Sequence, residues 1–163
     1  SYISSLNHLN AQWCGSAVWE YRLIHAGIGF VHAETVGEFI PQMFNLDYLN
    51  GISFTKGCYT GQEIIARMKY RGKVKRRCYP FVVTATNDTA TDKTVSIGDE
   101  LLDADGKLIG TVVSIACDIN HATTQQIYGL AVIKVDAAEK QSLLIKGETA
   151  IAITALPYAI DND

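Results

Sequence analysis

Residues 16–27 carry helical spacing. Trp19, Leu23 and Ala26 recur on one face, and Gly27 is placed to end the helix. Residues 1–15 ahead of them are polar and weakly patterned. Pro41 suits the first turn of a second helix, with Phe44 and Tyr48 in step and Asn50-Gly51 as the stop. The short run Ile52-Ser53-Phe54 leads into a loop, and a helix is predicted from about Gly61 to Ala66. From Arg67 the period changes. Arg67, Lys69, Arg71, Lys73, Lys75 and Arg77 take every second position, with Met68, Tyr70, Gly72 and Val74 between them. Alternation of this kind predicts an extended strand with the cations on one face.

Beyond residue 77 the helical signal nearly vanishes. Tyr79–Ala85, Thr111–Ala116, Ile127–Val135 and Thr149–Ala155 are rich in Val, Ile, Thr and Tyr and predict strands. Asp103-Ala104-Asp105-Gly106 is a hairpin-turn signal. Short strands joined by turns imply a small antiparallel barrel or sandwich. The expected fold class is α+β, with residues 1–77 as an α+β region and residues 78–163 as the β-barrel domain.

With 163 residues and 48% apolar content, the chain can build one domain or two small ones around a real core. Charge changes the picture more than composition does. Residues 67–77 hold seven of the fourteen basic side chains and no acid, while residues 78–163 carry twelve acids against five lysines. One positive strip on an acidic protein implies an anionic partner: carboxylates, RNA phosphates or an acidic protein surface. Its few aromatic neighbours, Tyr70 and Tyr79, weigh against a base-reading RNA module.

Cysteines 14, 58, 78 and 117 show neither C-x-x-C nor zinc-type spacing, which points to a reducing, cytoplasmic setting and away from disulfides or a metal. Histidines 8, 25, 32 and 121 do not cluster with acids, so no metal site is expected. No apolar run is long enough for a membrane helix, and no signal-peptide pattern opens the chain. The chain begins at Ser1 and is read as a fragment of a longer protein.

The candidate chemistry lies in Lys56-Gly57-Cys58-Tyr59-Thr60-Gly61-Gln62-Glu63. Thr60 and Glu63 fit a capping box, which would place Cys58 just outside a helix N-terminus. The helix dipole and Lys56 would both favour a thiolate. Gly57 and Gly61 would let a ligand approach the backbone. The plain structural reading, a small apolar cysteine beside an ordinary helix, stands beside it.

This octapeptide resembles the KGCYTGQE motif of the YgfZ family, folate-binding relatives of the glycine-cleavage aminomethyltransferases. The resemblance extends through Gly37-Glu38-Phe39-Ile40-Pro41-Gln42, Asn45-Leu46, Gly51-Ile52-Ser53-Phe54, Arg67, Arg71-Gly72 and Arg76, and resumes at Leu156-Pro157-Tyr158. It implies the C-terminal half of an aminomethyltransferase-like protein, ending in a barrel. It also implies binding of tetrahydrofolate or a one-carbon derivative, in support of iron–sulfur cluster assembly or repair in enzymes that include tRNA-modifying ones.

By that resemblance Cys58 is the candidate catalytic thiol and Lys56 its activator. Trp19 stacks on the pterin, and Gly57, Tyr59, Gly61, Gln62, Glu63, Arg67 and Arg71 complete the folate site. Partners would be folate, iron–sulfur client or assembly proteins and, with less support, tRNA. A monomer is expected. Aminomethyltransferases show Arg-Asp where this chain has Trp19-Glu20 and lack the octapeptide, which argues against glycine cleavage itself. An aminomethyltransferase and an RNA-binding module remain the alternatives.

Overall fold

The β-branched runs after residue 75 form strands β1 (Arg76–Val83), β2 (Glu100–Leu102), β3 (Leu108–Cys117), β4 (Ile127–Lys134), β5 (Leu143–Ile145) and β6 (Thr149–Ile153). The computed structural model describes residues 6, 9, 11–83, 95–117, 126–138, 143–146 and 149–160. Within these the strands are antiparallel and close into a barrel in the order β1-β4-β3-β2-β5-β6. Of the two architectures expected, the barrel is therefore the one adopted. Closure removes the exposed sheet edges that a sandwich would keep. Residues 84 and 85, in the first expected strand, and His121 lie outside the described residues.

The β2–β3 hairpin turns as its sequence predicts. Gly106 has a φ of +75°, a conformation costly for any residue with a Cβ, and the Asp103 carboxylate accepts the backbone N–H of Asp105 and Lys107. Phe81, Leu101, Ile109, Val112, Ala131, Ile133, Leu143, Ile145 and Ile151 fill the barrel. At Gly129 a Cβ would collide with the Phe81 ring and lie 2.7 Å from the Ser114 carbonyl oxygen, so only glycine lets that ring occupy the interior.

The outer face of β1, β3 and β4 is buried as well. Cys78, Val113, Ala116, Leu130 and Val132 pack there against Ile24 and Phe44. Two-sided burial explains why β4 reads as a near-continuous apolar run rather than an alternation. Ile24 comes from helix α1 (Ser16–His25), where Gly27 follows the end with a φ of +66°, as its position predicts. Trp19 does not join this core and is 64% exposed.

The expected second helix is instead a 3₁₀ turn over Pro41–Phe44. Asn45, with a φ of +60°, stops it after one turn. The largest departure concerns the basic strip. Helix α2 spans Gln62–Tyr70, four residues past the predicted end, so Arg67 and Lys69 are helical and only Arg76 and Arg77 enter a strand. Backbone already committed to helix at Gln62 propagates one hydrogen bond per residue, and Arg67-Met68-Lys69 are good helix formers. A short helix, α3 (Val135–Ala138), follows β4.

Candidate functional site

The octapeptide forms an exposed loop that runs into α2. Lys56, Gly57, Cys58, Tyr59 and Thr60 are all exposed, and Cys58 is a free thiol. The capping box is not formed. Gly61, with a φ of +87°, is the residue before α2, and no side chain caps the helix. The Gln62 side-chain oxygen instead accepts the Tyr59 backbone N–H at 3.3 Å, and Glu63 stays exposed in the first turn. The helix starts one residue later than the box requires, so Gly61 and not Thr60 takes the capping position and Glu63 is the second helical residue, not the third. Gly61 is the residue type that tolerates its left-handed angle.

Helix α2 buries none of its own side chains. Its attachment to the barrel runs through a polar chain. The Gln42 side-chain amide nitrogen donates to the Ile65 carbonyl at 2.8 Å, and the Gln42 backbone carbonyl accepts from the Arg77 guanidinium at 2.9 Å. Arg77 also grips Asp47 through two parallel bonds of 2.8 and 3.0 Å and lies 4.7 Å from the centre of the Tyr48 ring. Bidentate pairing of this kind is geometrically specific. Arg77 is thus buried and neutralised, and is not one of the free cations of the strip. Arg67 and Arg71 are exposed on and just after α2.

Two cavities bear on function, and only the second touches this framework. One, of about 540 Å³, is walled by Trp19, Leu23, Ile24, Ile28, Phe30 and Ile115, with Glu20, His32 and Ser114 as polar groups. The other, of about 410 Å³, lies between α2 and the 3₁₀ turn and is lined by Gln42, Tyr48, Phe54, Met68, Lys69 and Lys73 among others. None of residues 56–63 lines the first cavity, so Trp19 and Cys58 are not brought into one pocket. Among the described residues no cluster of His, Cys, Asp and Glu could hold a metal, and no helix is long and apolar enough to cross a membrane.

Over 158 residues the chain is 38% identical to the tRNA-modifying protein YgfZ of Yersinia pestis (strain Pestoides F), and this covers 94% of the chain and 45% of the relative. It is 35% identical over the same length to the protein of that name from Yersinia enterocolitica. The chain belongs to the YgfZ family. No family model matches it. The chain spans about half the length of the curated relatives it matches. Within this YgfZ-family chain, Gln42, Asn45 and Tyr158 fall in segments whose sequence already carries the family resemblance, yet their structural role is visible only in three dimensions. Gln42 links α2 to Arg77. Asn45 donates to the Cys78 carbonyl at 2.7 Å and to the Tyr158 hydroxyl at 3.2 Å. The pairing of Asp47 with Arg77 had no signal in the sequence.

Proposed function

We propose that this chain supplies part of a tetrahydrofolate-binding site in a protein that supports assembly or repair of iron–sulfur clusters, tRNA-modifying enzymes among its clients. The observation that carries the reading is Trp19, a large indole left 64% exposed at the rim of an apolar cavity of about 540 Å³. Exposing so much apolar surface is unfavourable unless something covers it. The cavity falls in the usual range of roughly 300–1,000 Å³ for small-molecule sites.

The lining fits a pterin. Trp19 and Phe30 offer aromatic surface for a flat ring, and the Glu20 carboxylate can accept N–H groups of the kind a pterin edge carries. Leu23, Ile24, Ile28 and Ile115 exclude water from the inner wall. Folate bound there would supply a carrier for a one-carbon unit. Cys58, exposed and unpaired on its own loop, is the nucleophile that would meet a sulfur species or a client protein, with Lys56 two residues away. The relatives carry the name tRNA-modifying protein, which agrees with clients in tRNA modification.

Titration with folate derivatives tests the first half of this reading, with Trp19→Phe and Trp19→Ala as variants. Saturable binding that Trp19→Ala weakens and Trp19→Phe largely keeps is expected. The second half is tested in cells by a Cys58→Ser allele, which should lower the iron–sulfur content of tRNA-modifying enzymes. Unchanged cluster content would remove the thiol from the proposal.

A further inference from the structure

The cations of residues 67–76 are not the single row that alternation predicts. Lys69 and Lys73 line the cavity beside α2, whereas Arg67 and Arg71 are exposed outside its lining. Arg76 stands directly opposite Lys134 in the β1–β4 register, which sets two like charges side by side on the barrel's outer face. Cross-strand like charges are unfavourable by themselves. Among the described residues none of Arg67, Lys69, Arg71, Lys73, Lys75 and Arg76 forms an ion pair. So much uncompensated positive charge draws in a polyanion.

Aromatic rings are interleaved with these cations. The Lys69 ammonium lies 3.8 Å from the centre of the Phe54 ring, and Phe54 meets Tyr70 edge-on at 6.4 Å. Tyr70 is 70% exposed. The cavity wall also holds a buried acceptor. The Gln42 amide gives its N–H₂ to Ile65, which fixes its orientation and leaves its oxygen without a partner among the described residues. A buried carbonyl oxygen left so is unfavourable until a donor arrives.

We propose that this cavity and its cationic rim bind a single-stranded stretch of nucleic acid, with one unpaired base entering the cavity. The flanking phosphates meet Lys69, Lys73 and Arg71. Lys69 leaves the Phe54 face for a phosphate, which bares that ring for stacking. Base edges bring N–H donors to the wall that holds Gln42. Duplex is excluded because its bases stay stacked inside. This site is separate from the Trp19 cavity and does not depend on the folate reading.

The test is fluorescence anisotropy of the chain with labelled eight-nucleotide RNA and DNA of one sequence, a duplex of that sequence, and hexaglutamate as competitor. The single strands are expected to bind with a log–log salt slope of about −0.7 per phosphate met, so about −2 for three. RNA and DNA are measured side by side to show which source is preferred. Lys69→Glu with Lys73→Glu should weaken binding at least tenfold, and Arg22→Glu on α1 less than twofold. Phe54→Leu should weaken it about fivefold or more with the salt slope unchanged, because stacking and not charge is lost. Lys69→Gln gives a second, milder charge variant, and thermal midpoints of all variants are measured in parallel.

The proposal is overturned if neither single strand binds, or if the duplex binds as well as the single strands. It is also overturned if a folded Phe54→Leu protein binds like the parent, or if hexaglutamate displaces the oligomer at equal concentration.

Discussion

The Tyr158 hydroxyl donates to the Gly27 carbonyl at 2.7 Å, joining groups 131 residues apart. The same hydroxyl accepts from the Asn45 amide, which also holds the Cys78 carbonyl at 2.7 Å. One residue pair thereby fastens the end of α1, the 3₁₀ turn, β1 and the segment after β6 to one another. A Cβ on Gly27 would lie 2.9 Å from both Leu156 and Tyr158, which shows how closely the last segment covers this corner.

Tyr158→Phe should therefore destabilise the fold by about 1–2 kcal/mol, as expected when a partly buried hydroxyl loses two hydrogen bonds of modest net worth each. Asn45→Ala should cost more, about 2–3 kcal/mol, because a left-handed angle of +60° is added to two lost bonds. Asn45→Gly keeps the angle and should fall between them. Chemical denaturation of the singles and of the Asn45→Gly, Tyr158→Phe double variant checks this. The two effects should be non-additive because they share one bond.

Arg77→Ala should be worse than either. It strips Asp47 of its partner and opens the chain that runs through Gln42 to α2. Asp47 keeps some contact with solvent, so the expected loss is about 2–4 kcal/mol, reaching just below the roughly 3–5 kcal/mol of a fully buried broken pair. Arg77→Lys retains the charge but not the fork and should recover under half of it. Hydrogen exchange at α2 amides separates the local from the global effect. Faster exchange in α2 than in β4 is expected.

Cys78 is fully buried, and burial pushes its thiol up to about 12. The unfolded thiol ionises near 9, so between those values the unfolded chain releases a proton that the folded chain keeps. Stability from this group is complete below about 9 and falls as pH rises toward 12, by at most about 1.4 kcal/mol per pH unit. Thermal midpoints should drop through this window, and Cys78→Ala should flatten the drop while lowering the midpoint at neutral pH. In the folded state, alkylation followed by mass spectrometry should label Cys14, Cys58 and Cys117, which are exposed, and leave Cys78 unlabelled.

The barrel was legible because its signals are local. The β-branched runs at 111–116 and 127–135 and the Asp103–Gly106 turn each state their own geometry. Helix α1 and its Gly27 stop were legible for the same reason. The strip from Arg67 was misread because α2 buries none of its side chains, so cations can stand on every side of it and the alternation carries no record of the helix continuing. The decision came from α2 already under way at Gln62. The Thr60–Glu63 pattern matched a capping box in letters, but the helix begins at Gln62 with a left-handed Gly61 as its cap, one residue out of register with the box. Links that span the chain, Asp47 to Arg77 and Gly27 to Tyr158, leave no local trace. At the site, the exposure of Cys58 and Trp19 became visible only once the core was seen to form without them.

The central claim is that the Trp19 cavity takes a folate. The most direct measurement is tryptophan fluorescence during titration with tetrahydrofolate, made on the parent chain, on Trp13→Phe and on Trp19→Phe. Trp13→Phe leaves Trp19 as the only indole, so its quenching reports that ring alone. Saturable quenching in the parent and in Trp13→Phe, lost in Trp19→Phe while calorimetry still records binding, is the predicted result. A signal that follows Trp13, or none in any of the three proteins with calorimetry equally silent, would contradict the claim.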